Sequence, residues 1–459
     1  DDGTIGFANV QFDRRAREVP REHVERLEAT TRAAVEGSPV TLELTGPVIE
    51  DPPESGPSEV LGLFAALAVL LAVFGTVSAA LVPIGLALVA VGTGVALLTI
   101  AASVTSFDDV TPILAAMIGL GVGVDYALVI VTRFRQSLHG GHDPVRAATI
   151  AGATAGRAVL FAGTAVAISI AGLAVIGLDV VTKLGVAASV TVLASVLLAV
   201  TLLPAVLAAL GHHIDRLRVP LTSRRDDSRE ALGHSRVARW GRRVTRSPEQ
   251  VALATLAVLA GLSIPALALV QLGASDDGTA PESTTVRRAY DLLAEGFGPG
   301  FSGPLLVAVD LRGDTRAPRT LHEALAATPG VASVPPPAVN AAGDTALLTV
   351  YPETTPQSRQ TRELVERLRE VELPAALDGS EAVASVGGLT AASGDVAERI
   401  LHRFPLFLLA AIGITSLVLT MAFRSVVVAL MASLTTILSV LAAGGILVLV
   451  FQQGIALEA

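Results

Sequence analysis

A single carboxylate lies inside an otherwise apolar part of the chain. Asp125 and Tyr126 occur in the segment GLGVGVDYALVIVTRFR (119–135), which carries no other charge before its basic end. An ionised Asp at the centre of a membrane-spanning helix costs about 2.5–3.5 kcal/mol on insertion scales, so it needs a proton, a partner or water. We therefore predict that Asp125 loads and releases a proton, and that the Tyr126 hydroxyl links it to a neighbouring relay group. The alternative is a structural Asp that pairs across a helix bundle.

Three glycines precede this pair. Gly119, Gly121 and Gly123 remove side chains from the same segment, and small residues allow neighbouring membrane helices to approach closely. We interpret them as helix-packing positions. A GxGxG pattern also occurs in dinucleotide-binding proteins, but there it follows a soluble strand, so we predict no nucleotide site.

Two hydroxyls in the next apolar stretch (156–178) are candidates for the surroundings of the relay. Thr164 and Ser169 lie five residues apart, and either hydroxyl could face Asp125. The competing interpretation is that each hydroxyl donates a hydrogen bond to the carbonyl four residues earlier in its own helix. The sequence leaves both interpretations open.

Other kinds of chemistry lack support in the sequence. Cysteine is absent and the net charge is −9, which excludes thiolate sites and argues against a nucleic-acid partner. His212, His213 and Asp215 could ligate a metal, but they lie among arginines at the end of an apolar stretch, where a solvated boundary explains them better. No HExxH, Walker A or GxSxG motif occurs. We therefore predict no metal, no cofactor and no enzymatic activity.

The elements that must hold these residues are membrane helices. The chain is 51% hydrophobic and 16% charged over 459 residues, and a spanning helix needs about 20 apolar residues. Residues 60–106 carry no charge and suit two helices joined by a tight turn. Further apolar stretches lie at 112–132, 158–178, 185–210, 250–271, 404–423 and 426–451. The sequence therefore predicts eight spans in an α-helical polytopic membrane protein.

Arginine placement predicts the orientation of these spans. The loop 133–157 holds four Arg against one Asp, and the linker 212–248 holds ten Arg against four acids. Because cytoplasmic loops of membrane proteins are enriched in Lys and Arg, both segments are predicted to be cytoplasmic. The segment 272–403 holds 18 acids against 11 Arg, and we place it outside the membrane together with residues 1–57.

The polar segment 272–403 has the pattern of a ferredoxin-like α+β domain. Strand patterns at 304–311, 330–334, 345–352 and 381–386 alternate with helix patterns at 318–327 and 357–372. This is the β-α-β-β-α-β order of the split βαβ plan. Residues 4–12, 21–37 and 39–46 have the patterns of strand, helix and strand, and so predict the second half of a similar domain.

These patterns repeat along the chain. VFGTVSAALVPIGLAL (73–88) matches AFRSVVVALMASLTTI (422–437) at an offset of 349 residues and in the same orientation. We therefore expect a tandem repeat of six-helix halves, and a fragment of a longer protein with about 12 spans. The predicted parts are half of an extracytoplasmic domain (1–57), helices 2–6 (58–211), a cytoplasmic linker (212–248), helix 7 (249–271), a second extracytoplasmic domain (272–403) and helices 8–9 (404–459).

The chain resembles the MMPL family of the resistance–nodulation–division (RND) superfamily. The resemblance is carried by the Asp-Tyr segment, AGRAVLFAG (155–163), TLLPAVLAALG (201–211) and AYDLLAEGFGPGFSGPLLV (289–307). It implies an RND-type fold with extracytoplasmic porter domains, and proton-driven export of lipids or other hydrophobic molecules across the bacterial plasma membrane. Asp125 and Tyr126 match the first of two relay pairs in that family. The second pair is expected near position 474, beyond residue 459.

Two other functions remain open on the sequence alone. One is a sterol-sensing or receptor-like membrane protein of the same fold, which signals without moving a substrate. The other is a cell-envelope assembly protein whose outer domains dock a protein partner. The expected partners are the bilayer and a lipid or hydrophobic small molecule. Cell-envelope proteins and a homo-oligomer stay open, and nucleic acid is not expected.

Overall fold

The structure, a computed structural model, describes residues 4–14, 18–46, 48–49, 57–108, 110–217, 236–269 and 277–452. The chain divides into two units. The first is formed by Asp1–Glu54 with Leu272–Arg399, and the second by Ser55–Gln271 with Ile400–Ala459. The first unit holds the polar segments, whereas the second holds the long apolar stretches.

Helices dominate the second unit and also occur in the first. In chain order the helices are α1 (Arg21–Val35), α2 (Pro57–Phe74), α3 (Val77–Ala101), α4 (Val110–His139), α5 (Pro144–Ala151), α6 (Arg157–Ala171), α7 (Asp179–Val200), α8 (Leu202–Leu210), α9 (Arg236–Arg246), α10 (Pro248–Leu269), α11 (Thr285–Phe297), α12 (Ala317–Ala326), α13 (Arg359–Arg367), α14 (Leu373–Ala376), α15 (Leu389–Phe423) and α16 (Val426–Leu447).

Seven helical stretches in the described part of the chain are long and apolar enough to cross a membrane. They are Val77–Ala101, Val110–His139, Pro144–Ile176, Asp179–Asp215, Pro248–Leu267, Leu389–Phe423 and Val426–Val450. Each overlaps one predicted apolar stretch, which confirms a helical polytopic membrane protein. The remaining predicted span corresponds to α2, a helix of 18 residues of which Phe64–Phe74 forms a shorter apolar helix.

The tight turn predicted within 60–106 lies at Gly75 and Thr76, between α2 and α3. Gly75 has a φ of 69°, a left-handed conformation that glycine adopts without a Cβ penalty. The Thr76 hydroxyl donates to the Ile214 carbonyl at 3.1 Å. The turn is thereby held against the 3₁₀ turn Gly211–Asp215 that follows α8.

Helix α7 contacts α3, α4 and α6. Its hydroxyl groups reach two of these neighbours. Ser189 Oγ donates to the Ala167 carbonyl of α6 at 2.9 Å, and Ser195 Oγ donates to the Gly119 carbonyl of α4 at 3.3 Å. Interhelical hydrogen bonds of this kind stabilise membrane bundles, in which lipid weakens the hydrophobic driving force between helices.

Helices α5 and α6 are joined without a loop. Asp143 caps α5 by accepting a hydrogen bond from the Arg146 N–H at 3.0 Å, and Pro144 occupies the first helical turn, where its missing N–H costs nothing. A π-helical turn at Gly152–Gly156 then leads into α6. Such π turns insert one extra residue per turn into a helix and change the direction of the side chains that follow.

The first unit contains an antiparallel sheet. Its strands are β1 (Leu305–Asp310), β2 (Val331–Ser333), β3 (Ala338–Val339), β4 (Thr345–Pro352) and β5 (Val383–Gly387). The strand order is β2-β4-β1-β5, with β3 beside β4, so the elements follow the β-α-β-β-α-β order with one short strand added. Leu305, Val307 and Val309 alternate along β1 on its buried face and pack with residues of α12 and α13.

The two strands predicted at 4–12 and 39–46 do not form in the described residues, although α1 agrees with the helix predicted at 21–37. A strand is defined by its ladder to a neighbour, and neither segment has one in that part of the chain. Side chains make the contacts instead. The Phe7 ring lies against Phe297 and Phe301, with ring centroids 5.2 Å apart in each pair.

Candidate functional site

Asp125 lies on an uncovered face of α4. Met117, Gly121, Asp125 and Val129 are all exposed, and residues four apart share one face of a helix. We call these four residues the α4 stripe. Within the described residues the Asp125 carboxylate forms no hydrogen bond and no ion pair.

Tyr126 is packed between helices, in contrast to its neighbour. Its side chain is 7% exposed, and its ring lies against Gly163 of α6. A Cβ added at Gly163 would come within 2.9 Å of Tyr126 Cε2 and would also clash with Val196 of α7. The absence of a side chain at Gly163 therefore lets the Tyr126 ring fit between α6 and α7. Consecutive residues of an α-helix are rotated by about 100° around its axis, so Tyr126 faces the neighbouring helices while Asp125 faces away from them.

The three glycines of this segment have two different environments. Gly119 and Gly123 are buried at helix contacts. A Cβ added at Gly119 would clash with Thr191, and one added at Gly123 would lie 3.1 Å from Ala87 Cβ. A Cβ added at Gly121 would meet no described atom within 4 Å. Gly121 therefore contacts no neighbouring helix among the described residues, because a residue two positions along a helix points away from the face of its neighbours, and its role in helix packing stays a prediction.

The candidate hydroxyls of α6 form hydrogen bonds elsewhere. Thr164 Oγ1 donates to the Leu160 carbonyl at 2.7 Å, which is the intrahelical bond that the sequence left open. Ser169 Oγ lies 3.2 Å from Thr415 Oγ1 of α15, so it links two helices. Neither hydroxyl is hydrogen-bonded to Asp125 in the part of the chain that the structure describes.

A second aspartate forms a charged cluster at one end of the spans. Asp215 pairs with Arg135 Nη2 at 2.8 Å and with His139 Nε2 at 2.8 Å. Arg135 also donates to the Phe74 carbonyl at 2.9 Å, and its Cζ lies 5.6 Å from the centre of the Phe74 ring. The Arg135 and Asp215 side chains are 18% and 17% exposed, so the pair is largely desolvated. It connects α2, α4 and the turn after α8.

Sequence reasoning missed this cluster and assigned Asp215, together with His212 and His213, to a solvated boundary. The available signal was the opposite charge of RFR (133–135) and GHHID (211–215), which end two spans on the same predicted side. His213 Nδ1 lies 3.0 Å from the Leu210 carbonyl, and the ion pairs of Asp215 are made by Arg135 and His139 instead. Across the described residues, no group of three or more His, Asp or Glu side chains is arranged to hold a metal ion.

One ion pair of the first unit joins residues 39–46 to α11. Arg288 Nε and Nη2 donate to the Glu43 carboxylate at 2.6 and 3.1 Å. The Thr285 hydroxyl donates to the same carboxylate at 2.7 Å. The hydrogen bond from Arg288, the largest cause, and the bond from Thr285 outweigh burial and lower the pKa of Glu43 below its usual value.

Comparison with known proteins gives a consistent result. The MMPL family matches this chain over residues 1–251 and 280–459. Membrane protein YdfJ of Bacillus subtilis is 34% identical over 461 residues, which cover 99% of this chain and 61% of that protein. The mycolic acid-containing lipids exporter MmpL11 of Mycolicibacterium smegmatis is 34% identical over 397 residues, covering 84% and 41%. The trehalose monomycolate exporter MmpL3 of the same species is 27% identical over 453 residues, covering 91% and 44%.

This chain spans only 41% to 61% of the length of those relatives. The family match nevertheless covers well over half of the chain, including the whole of α4 and α6. The apolar helices provide the several spans that a polytopic membrane protein requires. The chain belongs to the MMPL family and is a multi-pass protein of the bacterial plasma membrane.

Proposed function

We propose that this chain is part of a secondary transporter that uses the proton gradient to export lipids or other hydrophobic molecules. The observation that carries the proposal is the Asp125 carboxylate on the α4 stripe. It has no hydrogen-bonding partner within the described residues, although charged groups inside a membrane usually pair or face water. A carboxylate without such a partner is therefore our candidate proton carrier.

In this mechanism Asp125 takes up a proton from outside and releases it to the cytoplasm after the surrounding helices rearrange. A proton that crosses a potential of 100 mV supplies about 2.3 kcal/mol. Protonation removes the charge, so the α4 stripe can then pack against an apolar helix surface. The ionised form needs water or a cation at the same place. This difference in interaction between two states couples protonation to helix movement.

The α4 stripe is also suited to close contact with another helix. Gly121 lies one turn before Asp125 and leaves open space beside it, and small residues favour close helix approach. We place a helix of the second six-helix half on this stripe. The Asp-Tyr pair expected near position 474 would then face Asp125. Tyr126, held between α6 and α7, fixes the rotation of α4 at this level.

The remaining assignments follow the predicted orientation. We assign the sheet domain within 272–403 as a ferredoxin-like porter domain outside the membrane, with residues 1–57 as part of a second one. The linker 212–248 is then cytoplasmic. MmpL11 and MmpL3 of Mycolicibacterium smegmatis are named as lipid exporters, which supports a hydrophobic substrate. The mechanism requires no metal and no cofactor.

Proton flux into proteoliposomes tests this function. The full-length protein is reconstituted with a pH-sensitive dye inside the vesicles, and a pH gradient is imposed. We expect Asp125→Asn to lower the flux about 100-fold, the range of a lost proton-transfer group. Asp143→Asn is the matched control, because Asn also caps a helix well, and we expect it to leave the flux unchanged.

Equal flux in the wild type and in folded Asp125→Asn would contradict proton coupling through this residue. That outcome would favour the sensing or assembly functions of the same fold. An Asp125→Asn protein that still exports lipid without a proton gradient would show that the fold moves its substrate by another energy source.

A further inference from the structure

A groove in the membrane unit combines an apolar lining with two cations at one end. It has a volume of 920 Å³ and lies between α6 and α15. Arg157, the first residue of α6, and Arg424, which follows α15, line one end, and Phe407 lines the other. Between the two ends the lining is apolar apart from the paired hydroxyls of Ser169 and Thr415.

The two arginines have no carboxylate partner among the residues that the structure describes. The Arg157 guanidinium lies over the Phe161 ring, with Cζ 5.7 Å from the ring centre. A cation–π contact uses the face of the guanidinium and leaves its N–H edge free for an anion. Arginine presents several N–H groups in a fork that matches a phosphate. The end of the groove is therefore suited to a phosphate group.

The backbone at Arg424 gives an independent reason to assign a role to its side chain. Arg424 has a φ of 54°, a conformation that is uncommon for any residue other than glycine. The internal repeat places Arg424 at the position of Gly75, which has a φ of 69° in the equivalent turn. Glycine would adopt this turn without strain. An arginine at this position holds the strained conformation in place of glycine, which is typical of residues with a functional role.

We propose that this groove binds an anionic phospholipid of the cytoplasmic leaflet. Its phosphate lies between Arg157 and Arg424, and one acyl chain follows the apolar lining toward Phe407. The groove extends along α6 for about 24 Å at 1.5 Å per residue, which is enough for a long acyl chain within a hydrocarbon core of about 30 Å. The arginine end lies on the side that the Arg-rich loop and linker mark as cytoplasmic.

This site is distinct from the Asp125–Tyr126 pair. Gly163 turns a different face of α6 toward Tyr126, while the groove is lined by residues such as Phe161 and Ser169. Lipid binding at the groove therefore does not depend on proton coupling, and each can be tested without the other.

Native mass spectrometry of the intact protein tests the proposal. Delipidated protein in detergent is titrated with dioleoylphosphatidylglycerol, with dioleoylphosphatidylcholine, which carries the same acyl chains, or with inorganic phosphate. We expect phosphatidylglycerol to bind about 20-fold more tightly than phosphatidylcholine, because each of the two arginines near a membrane surface favours an anionic headgroup by about four- to fivefold. Inorganic phosphate should not displace the lipid, because it lacks the acyl chain.

Three variants separate the headgroup from the acyl chain. Arg157→Gln combined with Arg424→Gln removes both cations and should weaken phosphatidylglycerol binding about 20-fold, with little effect on phosphatidylcholine. Ala162→Trp fills the groove and should weaken the binding of both lipids. Arg146→Gln is the matched control, since Arg146 lies on α5 and does not line the groove; it should change neither affinity.

Equal affinity for the two lipids would overturn the proposal, and so would unchanged phosphatidylglycerol binding in the double variant. Full competition by inorganic phosphate would show an anion site without a lipid. Absence of any bound lipid would also overturn the proposal. Size-exclusion chromatography establishes that each variant is folded. If the double variant does not fold, the headgroup comparison in the wild type and the Ala162→Trp result still decide the question.

Discussion

Two aspartates of the membrane unit have opposite surroundings. Asp215 is 17% exposed and is bound by Arg135 and His139. Asp125 is exposed on α4 and has no such partner in the described residues. Asp215 joins three elements at the end of the spans, whereas Asp125 lies within one long helix.

From this contrast we infer that the hydrogen-bonding and ion-pair partners of a carboxylate distinguish a structural residue from a candidate proton carrier. The position of the carboxylate along the membrane span is a poorer guide. Asp215 pairs with the Arg135 guanidinium and lies 2.8 Å from His139 Nε2, so its carboxylate is held by two side chains. Asp125 has no such side-chain contact in the described residues. Removing a partner of Asp215 should therefore lower the stability of the fold. Replacing Asp125 should reduce transport and change stability little.

Removal of Arg135 should cause the largest loss of stability. Arg135→Ala leaves the desolvated Asp215 carboxylate with His139 alone, and breaking a buried ion pair costs about 3–5 kcal/mol. Thermal unfolding of the detergent-solubilised protein measures this loss. Arg133→Ala, an exposed neighbour on α4, is the control and should change stability by less than about 1 kcal/mol. An equally small effect of Arg135→Ala would place the Asp215 cluster among ordinary surface pairs.

Valine at two glycine positions compares the covered and uncovered faces of α4. Gly119→Val forces a side chain against Thr191, and overpacking of this kind costs about 1–3 kcal/mol. Gly121→Val meets open space, so the unfolding temperature of this chain should hardly change. In the full-length protein the same Gly121→Val should reduce proton flux by obstructing the helix proposed to pack there. Equal destabilisation by both variants would contradict the assignment of the two faces.

The Glu43–Arg288 pair shows how a third carboxylate behaves in the first unit. The lowered pKa of Glu43 means that the pair stabilises the fold fully above the pKa of Glu43 in the unfolded chain, about 4.3. This contribution is lost as the pH falls through the lower pKa of the folded state. Thermal unfolding measured from neutral to acidic pH should show this loss. Glu43→Gln should remove that part of the pH dependence, and an unchanged profile would show that other carboxylates cause it.

Asp125→Asn should have the smallest effect on stability. The carboxylate has no partner to lose within the described residues, and substitutions at such positions usually change the free energy of unfolding by less than about 0.5 kcal/mol. The unfolding temperature of Asp125→Asn beside that of the wild type measures it. A loss as large as that of Arg135→Ala would mean that Asp125 is a structural residue, and the two aspartates would no longer differ in kind.

Periodicity and hydropathy along single segments correctly predicted the long apolar helices and one strand of the sheet. The strand predicted at 345–352 is β4, and the apolar stretches became long helices, because period and hydropathy are read along one segment. The strands predicted at 4–12 and 39–46 failed since a strand also needs a partner, which one segment cannot specify. The same limit explains the site, in which Tyr126 meets Gly163 and Asp215 meets Arg135 across long separations in the chain.

The contact between Tyr126 and Gly163 also limits the ways in which α6 can move. The ring already lies closer to the α6 backbone than any side chain at that position would allow, and packed interiors resist compression. Helix α6 therefore cannot approach α4 any further. It can slide along its axis or swing outward, and the π turn at Gly152–Gly156 provides a pivot at its base. The Tyr126–Gly163 contact therefore excludes movement of α6 toward α4 and leaves sliding and outward movement open.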